Sequence, residues 1–323
     1  MTNKPITTDS LLGQDNHLIA LAGTGRLRVP QSLMDQHPVL FDKVLYPLAV
    51  ILFGLIAPFL SAFIGIPLLL PLFLGVISQE TATGQVIILV GSFLPLFLLI
   101  WFWLWLFERR PLKTVGMERP ILRKYLRGLL LGLLMFAGAV ALLALLGMVD
   151  SETTGGGFSL VSVSGALIII LGWIVQGAAE EVLTRGFILP IIGRRWGILA
   201  GILISSLLFA FLHLLNPNVT LISIINLALF GLFAALYALY EGGLWGVFAI
   251  HSIWNWAQGN LFGFEVSGTQ IPSGMIFDLM ETGPDWITGG EFGPEGGLVV
   301  TIVLVISSLL ILLAARRRGK ILD

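Results

Sequence analysis

The sequence predicts an all-α membrane protein, a polytopic bundle of about eight transmembrane helices. Of its 323 residues, 56% are hydrophobic and only 11% are charged, about half the charged share of a soluble domain. The mean hydropathy of +0.95 is more than an aqueous core can absorb and calls for lipid. The apolar residues also fall into runs long enough to cross a bilayer, at 44–77, 86–107, 126–149, 161–192, 198–215, 221–240, 243–262 and 298–315.

Each run has its own features. The first is too long for one straight span and carries Pro58, Pro67 and Pro71, which predicts a kinked or broken helix. The stretch 263–297 is rich in Gly and Pro, among them Gly268, Pro272, Gly283, Pro284, Gly289 and Gly290, and reads as a long irregular loop. The first forty-odd residues are polar and lack the charged flank, short apolar stretch and cleavage site of a signal peptide. The first apolar helix is therefore expected to act as an uncleaved insertion signal. Five segments follow: a polar tail at 1–43, two spans with a basic loop at 44–125, a core at 126–262, an acidic loop at 263–297, and a last span with a basic tail at 298–323.

The basic residues give the orientation. Lys4, Arg26, Arg28 and Lys43 precede the first span. Arg109, Arg110, Lys113, Arg119, Arg123, Lys124 and Arg127 fall around the second connection. Arg194 and Arg195 follow the fourth span, and Arg316, Arg317, Arg318 and Lys320 follow the last. With alternating spans, all but one of the 18 Lys and Arg lie on one side. The opposite loops carry acids, including Glu80, Asp150, Glu152, Glu265, Asp278 and Asp285. The positive-inside rule then places both termini in the cytoplasm of a multi-pass protein of the cell membrane. The expected partners are the lipid bilayer and a peptide or membrane-protein substrate, not nucleic acid. There is no cysteine, so disulfides, thiolate nucleophiles and Cys-ligated metals are excluded.

Ionisable groups inside spans are costly and tend to be functional. The fourth span contains Glu180, Glu181 and Arg185. Glu181 and Arg185, four apart, can pair on one face, and that reading is structural. Glu180 is rotated about 100° away and is left unneutralised. The fifth span ends in Phe209 and His213, and the seventh carries His251 and Asn255 one turn apart. Counted from the cytoplasmic boundaries at 1.5 Å per residue, Glu180 lies roughly 20 Å deep, His213 roughly 24 Å and His251 roughly 14 Å. These depths are compatible with one cavity.

A catalytic reading gives each residue a use. A desolvated carboxyl at Glu180 suits a general base. His213 can share its water and pass a proton to the leaving amine. His251 and Asn255 can donate to the oxygen of a tetrahedral intermediate, where losing one donor costs about 10²–10³ in turnover. The bland reading of an isolated His or Asn in a span is an interhelical hydrogen-bonder, and the Trp residues near span ends read as interfacial anchors.

Three elements, Glu-Glu-x-x-x-Arg (Glu180, Glu181, Arg185), Phe-x-x-x-His (Phe209, His213) and His-x-x-x-Asn (His251, Asn255), resemble in order the motif set of the CPBP family. That family comprises type II CAAX prenyl endopeptidases and bacteriocin-processing or immunity proteins. The resemblance covers about residues 126–262 and implies peptidase roles for Glu180, His213, His251 and Asn255, with Glu181, Arg185 and Phe209 supporting. It leaves the tail, the first span and the 263–297 loop unexplained. Three alternatives remain. Zinc could sit on Glu180, His213 and His251 with water as fourth ligand, although metal-free, glutamate-activated water is favoured and no cofactor is expected. The same polar cavity could serve a proton or ion relay in a transporter, or a non-catalytic immunity protein.

Overall fold

A computed structural model describes residues 10–25, 27–28, 36–69, 71, 77–151 and 159–321, and the protein is about 74% helical. A short helix α1 (His17–Ala22) precedes α2 (Leu40–Leu69), α3 (Ala82–Glu108), α4 (Leu122–Leu145) and α5 (Leu160–Trp196). Then come α6 (Ile198–Leu212), α7 (Leu221–Glu241), α8 (245–262), α9 (Asp285–Thr288) and α10 (Leu298–Arg317). Helix α8 is α-helical over Trp245–Trp256 and π-helical over Ala257–Phe262.

Among the described residues six helices, α2, α3, α4, α5, α7 and α10, are long and apolar enough to cross a membrane. The protein is thus an all-α membrane bundle. The two other expected spans fall short for different reasons. Helix α6 has 15 residues, about 22 Å at 1.5 Å per residue, against a hydrocarbon core of about 30 Å. Helix α8 is diluted by the buried polar residues His251, Asn255, Gln258 and Asn260. Leucines such as Leu130, Leu134, Leu203, Leu207 and Leu309 are exposed on the outside of the bundle, as a lipid-facing surface requires.

Several expectations are corrected. Helix α2 is continuous through Pro58 and Pro67 and is not broken there; most of the expected extension to 77 lies outside the described residues, as do Lys4, Arg26 and Glu152. Helix α4 starts a turn early, so Arg123 and Lys124 ride on it. Helix α5 runs to Trp196 and carries Arg194 and Arg195 in its last turn. The amino-terminal region is not all solvated tail. Leu11, Leu18 and Ile19 are fully buried, Gln14 Nε2 donates to the Gly193 carbonyl (2.8 Å) and Asn16 Nδ2 to the Leu239 carbonyl (3.0 Å). These anchors lie on two distant helices, which a local pattern does not reveal.

The 263–297 loop is also ordered. Strand β1 (Val149–Ser151) pairs antiparallel with β2 (Leu279–Glu281), Asp150 opposite Met280, and α9 and two 3₁₀ turns follow. Both strands have three residues, too few for alternation to show.

Helix α5 packs between α3 and α8, α8 also packs on α4, and α6 lies against α7 and the end of α5. Small residues set the closest approaches. A Cβ added to Gly177 of α5 would meet Ser252 Oγ at 2.9 Å and Ser252 N at 3.0 Å, so glycine lets the two backbones approach. Between α2 and α3, a Cβ on Gly65 would overlap the Gly91 carbonyl oxygen at 1.7 Å. Two indole hydrogen bonds hold the α5–α8 contact, Trp173 Nε1 to Asn260 Oδ1 and Trp256 Nε1 to the Ala166 carbonyl, each 2.7 Å.

Gly177→Ala is expected to destabilise the protein by about 1–3 kcal/mol, the usual cost of overpacking. Thermal unfolding in detergent measures it, and an unchanged midpoint would mean that α5 and α8 separate without penalty.

Candidate active site

Helix α5 changes character where its charges begin. It is α-helical to Glu181 and π-helical over Val182–Ile188, a local widening often found at functional sites. Thr184 Oγ1 donates to the Glu180 carbonyl at 2.6 Å, which supplies a partner where the regular ladder is altered. Both flanking carboxylates project from the end of the regular α segment.

Glu181 and Arg185 pair at 3.0 Å with both side chains fully buried. The expectation that Glu181 serves only Arg185 is incomplete. The same oxygen, Glu181 Oε1, also meets His251 Nδ1 at 2.9 Å. A carboxylate only accepts, so Nδ1 carries the proton, and the ring is oriented with Nε2 3.7 Å from Glu180 Oε2. Arg185 in turn lies over the Phe209 ring, 4.7 Å from its centroid. That cation–π contact places Phe209 against both His213 (centroids 4.6 Å) and His251 (5.9 Å).

Glu180 is less isolated than its helix phase suggested. Gln176 Nε2 donates to Glu180 Oε1 at 3.1 Å, and Asn255 Nδ2 donates to Gln176 Oε1 at 3.1 Å. Gln176 thus joins Asn255 to Glu180. Among the described residues Glu180 Oε2 has no hydrogen-bond partner. His213 is the cap just beyond α6, not within it; its Nδ1 donates to the Phe209 carbonyl at 2.8 Å, which leaves Nε2 for the cavity.

Two cavities meet these groups. One, of about 370 Å³, lies among α2, α3, α5, α6 and the 266–271 segment; Phe59, Leu89 and Phe93 make its wall apolar, and Glu180, Gln176 and His213 give it a polar end. The other holds only about 20 Å³ and is lined by His213, His251, Asn255, Gln176, Ser267 and Glu295 among others. His213, Gln176 and Ser267 line both. The four expected residues Glu180, His213, His251 and Asn255 are therefore brought together, with Glu181, Arg185 and Phe209 behind them.

Sequence reasoning missed three residues. Gln176 was detectable, being an amide within an apolar run one turn before Glu180. Ser267 and Glu295 were not, since nothing local distinguishes them from other polar residues of the loop. Among the described residues no three His, Asp or Glu side chains form a group that could hold a metal ion; the Nδ1 atoms of both candidate histidines are engaged elsewhere, so only their Nε2 atoms could ligate one.

This is a helical membrane protein with a buried carboxylate–imidazole cluster at the end of an apolar cavity. Residues 162–257 match the family model described as type II CAAX prenyl endopeptidase Rce1-like. The match contains every motif residue from Glu180 to Asn255 and supports a CPBP family intramembrane protease, a hydrolase of peptide bonds. The chain matches no curated protein and no solved structure.

Glu181→Gln should destabilise the protein by about 3–5 kcal/mol, because Arg185 loses its buried counter-charge. Denaturation in detergent measures the loss. Stability within about 1 kcal/mol of the parent would show that Arg185 finds another acceptor.

Proposed function

We propose that this protein is an intramembrane endopeptidase of the CAAX type that hydrolyses a peptide bond at or within the bilayer. The observation that carries the reading is Glu180, whose Oε2 lacks a hydrogen-bond partner among the described residues, at the polar end of a cavity shared with His213. Glu180 takes a proton from a water, which attacks the scissile carbonyl. His213 Nε2 gives a proton to the leaving nitrogen. Asn255, with a second amide hydrogen beyond the one given to Gln176, and His251, as an imidazolium that carries a proton on Nε2 as well as on Nδ1, donate to the oxyanion. Arg185 and Glu181 hold His251 in place, and Phe209 fills the space between them.

The reading is metal-free. Activity is expected to survive prolonged chelation of the purified protein. One zinc per chain, with activity lost on removal and restored on re-addition, would move the assignment to the zinc-dependent version. The apolar wall of the larger cavity suits an apolar substrate segment entering from the bilayer.

Glu180→Gln should abolish cleavage of a membrane-presented peptide in detergent while thermal unfolding stays near that of the parent, because the isostere keeps the packing and removes the base. Asn255→Ala should lower kcat more than it changes KM, since the oxyanion exists only along the reaction path. Near-parental cleavage by Glu180→Gln would sink the assignment of the base, and the same assay separates a peptidase from a transporter or immunity protein.

In the cell, the proposal includes eight crossings of the cell membrane, with α6 and α8 as the two extra spans, both termini cytoplasmic and the 263–297 segment outside. The one-sided basic residues support it. Reporter fusions at Gly290 and at the carboxyl terminus should give opposite signals; matching signals would rule out the even number of crossings.

A further inference from the structure

The segment after α8 does more than connect. Asn216 Nδ2 donates to the Ser267 carbonyl at 3.1 Å, and Asn226 of α7 donates to the carbonyls of Glu295 and Gly297, each at 2.8 Å. Thr301 Oγ1 holds Asn226 by donating to its Oδ1 at 2.6 Å. These anchors set Ser267 and Glu295 against the catalytic groups. Ser267 has a φ of +50°, in the left-handed region that a non-glycine residue occupies only under constraint. The constraint is Glu295, whose Oε1 accepts from both the Ser267 N–H (2.5 Å) and the Ser267 hydroxyl (2.6 Å).

That arrangement treats the two oxygens of Glu295 differently. Oε1 takes two donors, whereas no hydrogen bond to Oε2 occurs among the described residues. Glu295 lines the 20 Å³ cavity with His213, His251 and Asn255. A polar cavity of that size is enough for one water, which needs about 10–15 Å³ and two to four polar partners. His213 also lines it, with Nδ1 committed to Phe209, so Nε2 is its only ring nitrogen available to that water.

We propose that Glu295, a residue outside the family-matched segment, is a positioning residue that returns a proton to His213 through a single water in the small cavity. The inference rests on the peptidase reading above. In the cycle, His213 Nε2 gives its proton to the leaving nitrogen and becomes neutral. The Glu295 Oε2–H bond breaks as the water takes that proton and passes one of its own to Nε2. Glu295 is left as a carboxylate and regains a proton from solvent; Glu180 releases to solvent the proton it took from the attacking water. The net reaction remains one peptide bond and one water giving a carboxylic acid and an amine.

The state of Glu295 agrees with this role. Burial pushes its carboxyl up, and the Ser267 hydroxyl, His213, the Ser267 N–H and His251 oppose that in part. His213 at the end of α6 and His251 on α8 are the titratable groups that face it; Ser267 and Asn226 are its neutral neighbours. A carboxylic acid whose Oε1 is the accepting oxygen presents its O–H from Oε2.

The experiment is Glu295→Gln and Glu295→Asp in the full-length protein in detergent, with the peptide cleavage assay run across pH. The amide oxygen of Gln still accepts from Ser267, so thermal unfolding should stay near that of the parent. A water-borne relay falls at or below the low end of the 10²–10⁴ range of proton-transfer catalysis, so kcat should drop about tenfold or more, with KM changed less than about twofold. The parent needs protonated Glu295, so its activity should fall as pH rises through that titration. Glu295→Gln should lack this alkaline limb, Glu295→Asp should keep it, and protonated imidazole should restore part of the loss in Gln. Unchanged kcat and an unchanged alkaline limb in Glu295→Gln, with the parent active, would overturn the relay alone. A parent that cleaves no peptide while Glu180→Gln behaves identically would remove the peptidase reading and the relay together.

Discussion

The fully buried carboxylate of Glu181 is the interaction on which the site depends. A charge taken out of water must be paired and hydrogen-bonded or it is strongly destabilising. Glu181 Oε1 answers this by meeting Arg185 at 3.0 Å and His251 at 2.9 Å. One contact lies within α5 and the other crosses to α8, so satisfying the charge also fixes one helix against the other. The orientation of the His251 ring follows, and with it the approach of Nε2 to Glu180. Arg185 extends the chain of consequences through Phe209 to α6 and His213.

Such a contact requires two helices to run unusually close. Gly177, one turn before Glu181, removes the side chain that would strike Ser252. Trp173 and Trp256 secure the same contact nearer the amino-terminal end of α5 through Asn260 and Ala166. The π-helical stretch then begins immediately after Glu181, and Thr184 satisfies the Glu180 carbonyl there. The polar face of α5 therefore combines an α-helical half with a π-helical half that carries Arg185. Among the described residues Glu180 Oε2, Glu181 Oε2 and Arg185 Nε and Nη2 are buried without a hydrogen-bond partner, and of these three side chains Glu180 is the one that lines the larger cavity.

The segment between α8 and α10 supplies a further wall of the site through Ser267 and Glu295. Its anchors come from the turn after α6 and from α7, the helices that flank His213. Ser267 and Glu295 consequently line the small cavity together with both histidines, and their mutual hydrogen bonds accompany a backbone conformation that is uncommon for serine. The larger cavity, bounded in part by α2 and α3, has a mostly apolar wall and one polar end.

The sequence by itself determined the membrane class, the location of most helices and the motif residues. Long apolar runs register in composition and in hydropathy, and a charge within such a run stands out because it is costly there. Glu180, Glu181, Arg185, His213, His251 and Asn255 were legible for that reason, and so was the i to i+4 pairing of Glu181 with Arg185, which helix geometry alone implies. Tertiary structure decided what Glu181 does beyond that pair, because His251 is seventy residues away along the chain and no periodicity encodes which helix lies alongside. It also decided the place of Gln176 between Asn255 and Glu180, the docking of the amino-terminal helix, and the β1–β2 pairing of two three-residue strands. Above all it decided the entry of Ser267 and Glu295 into the site: in a polar, Gly-rich segment a functional carboxylate carries no penalty that would mark it, and only the hydrogen bonds from α7 and from Ser267 reveal where it goes.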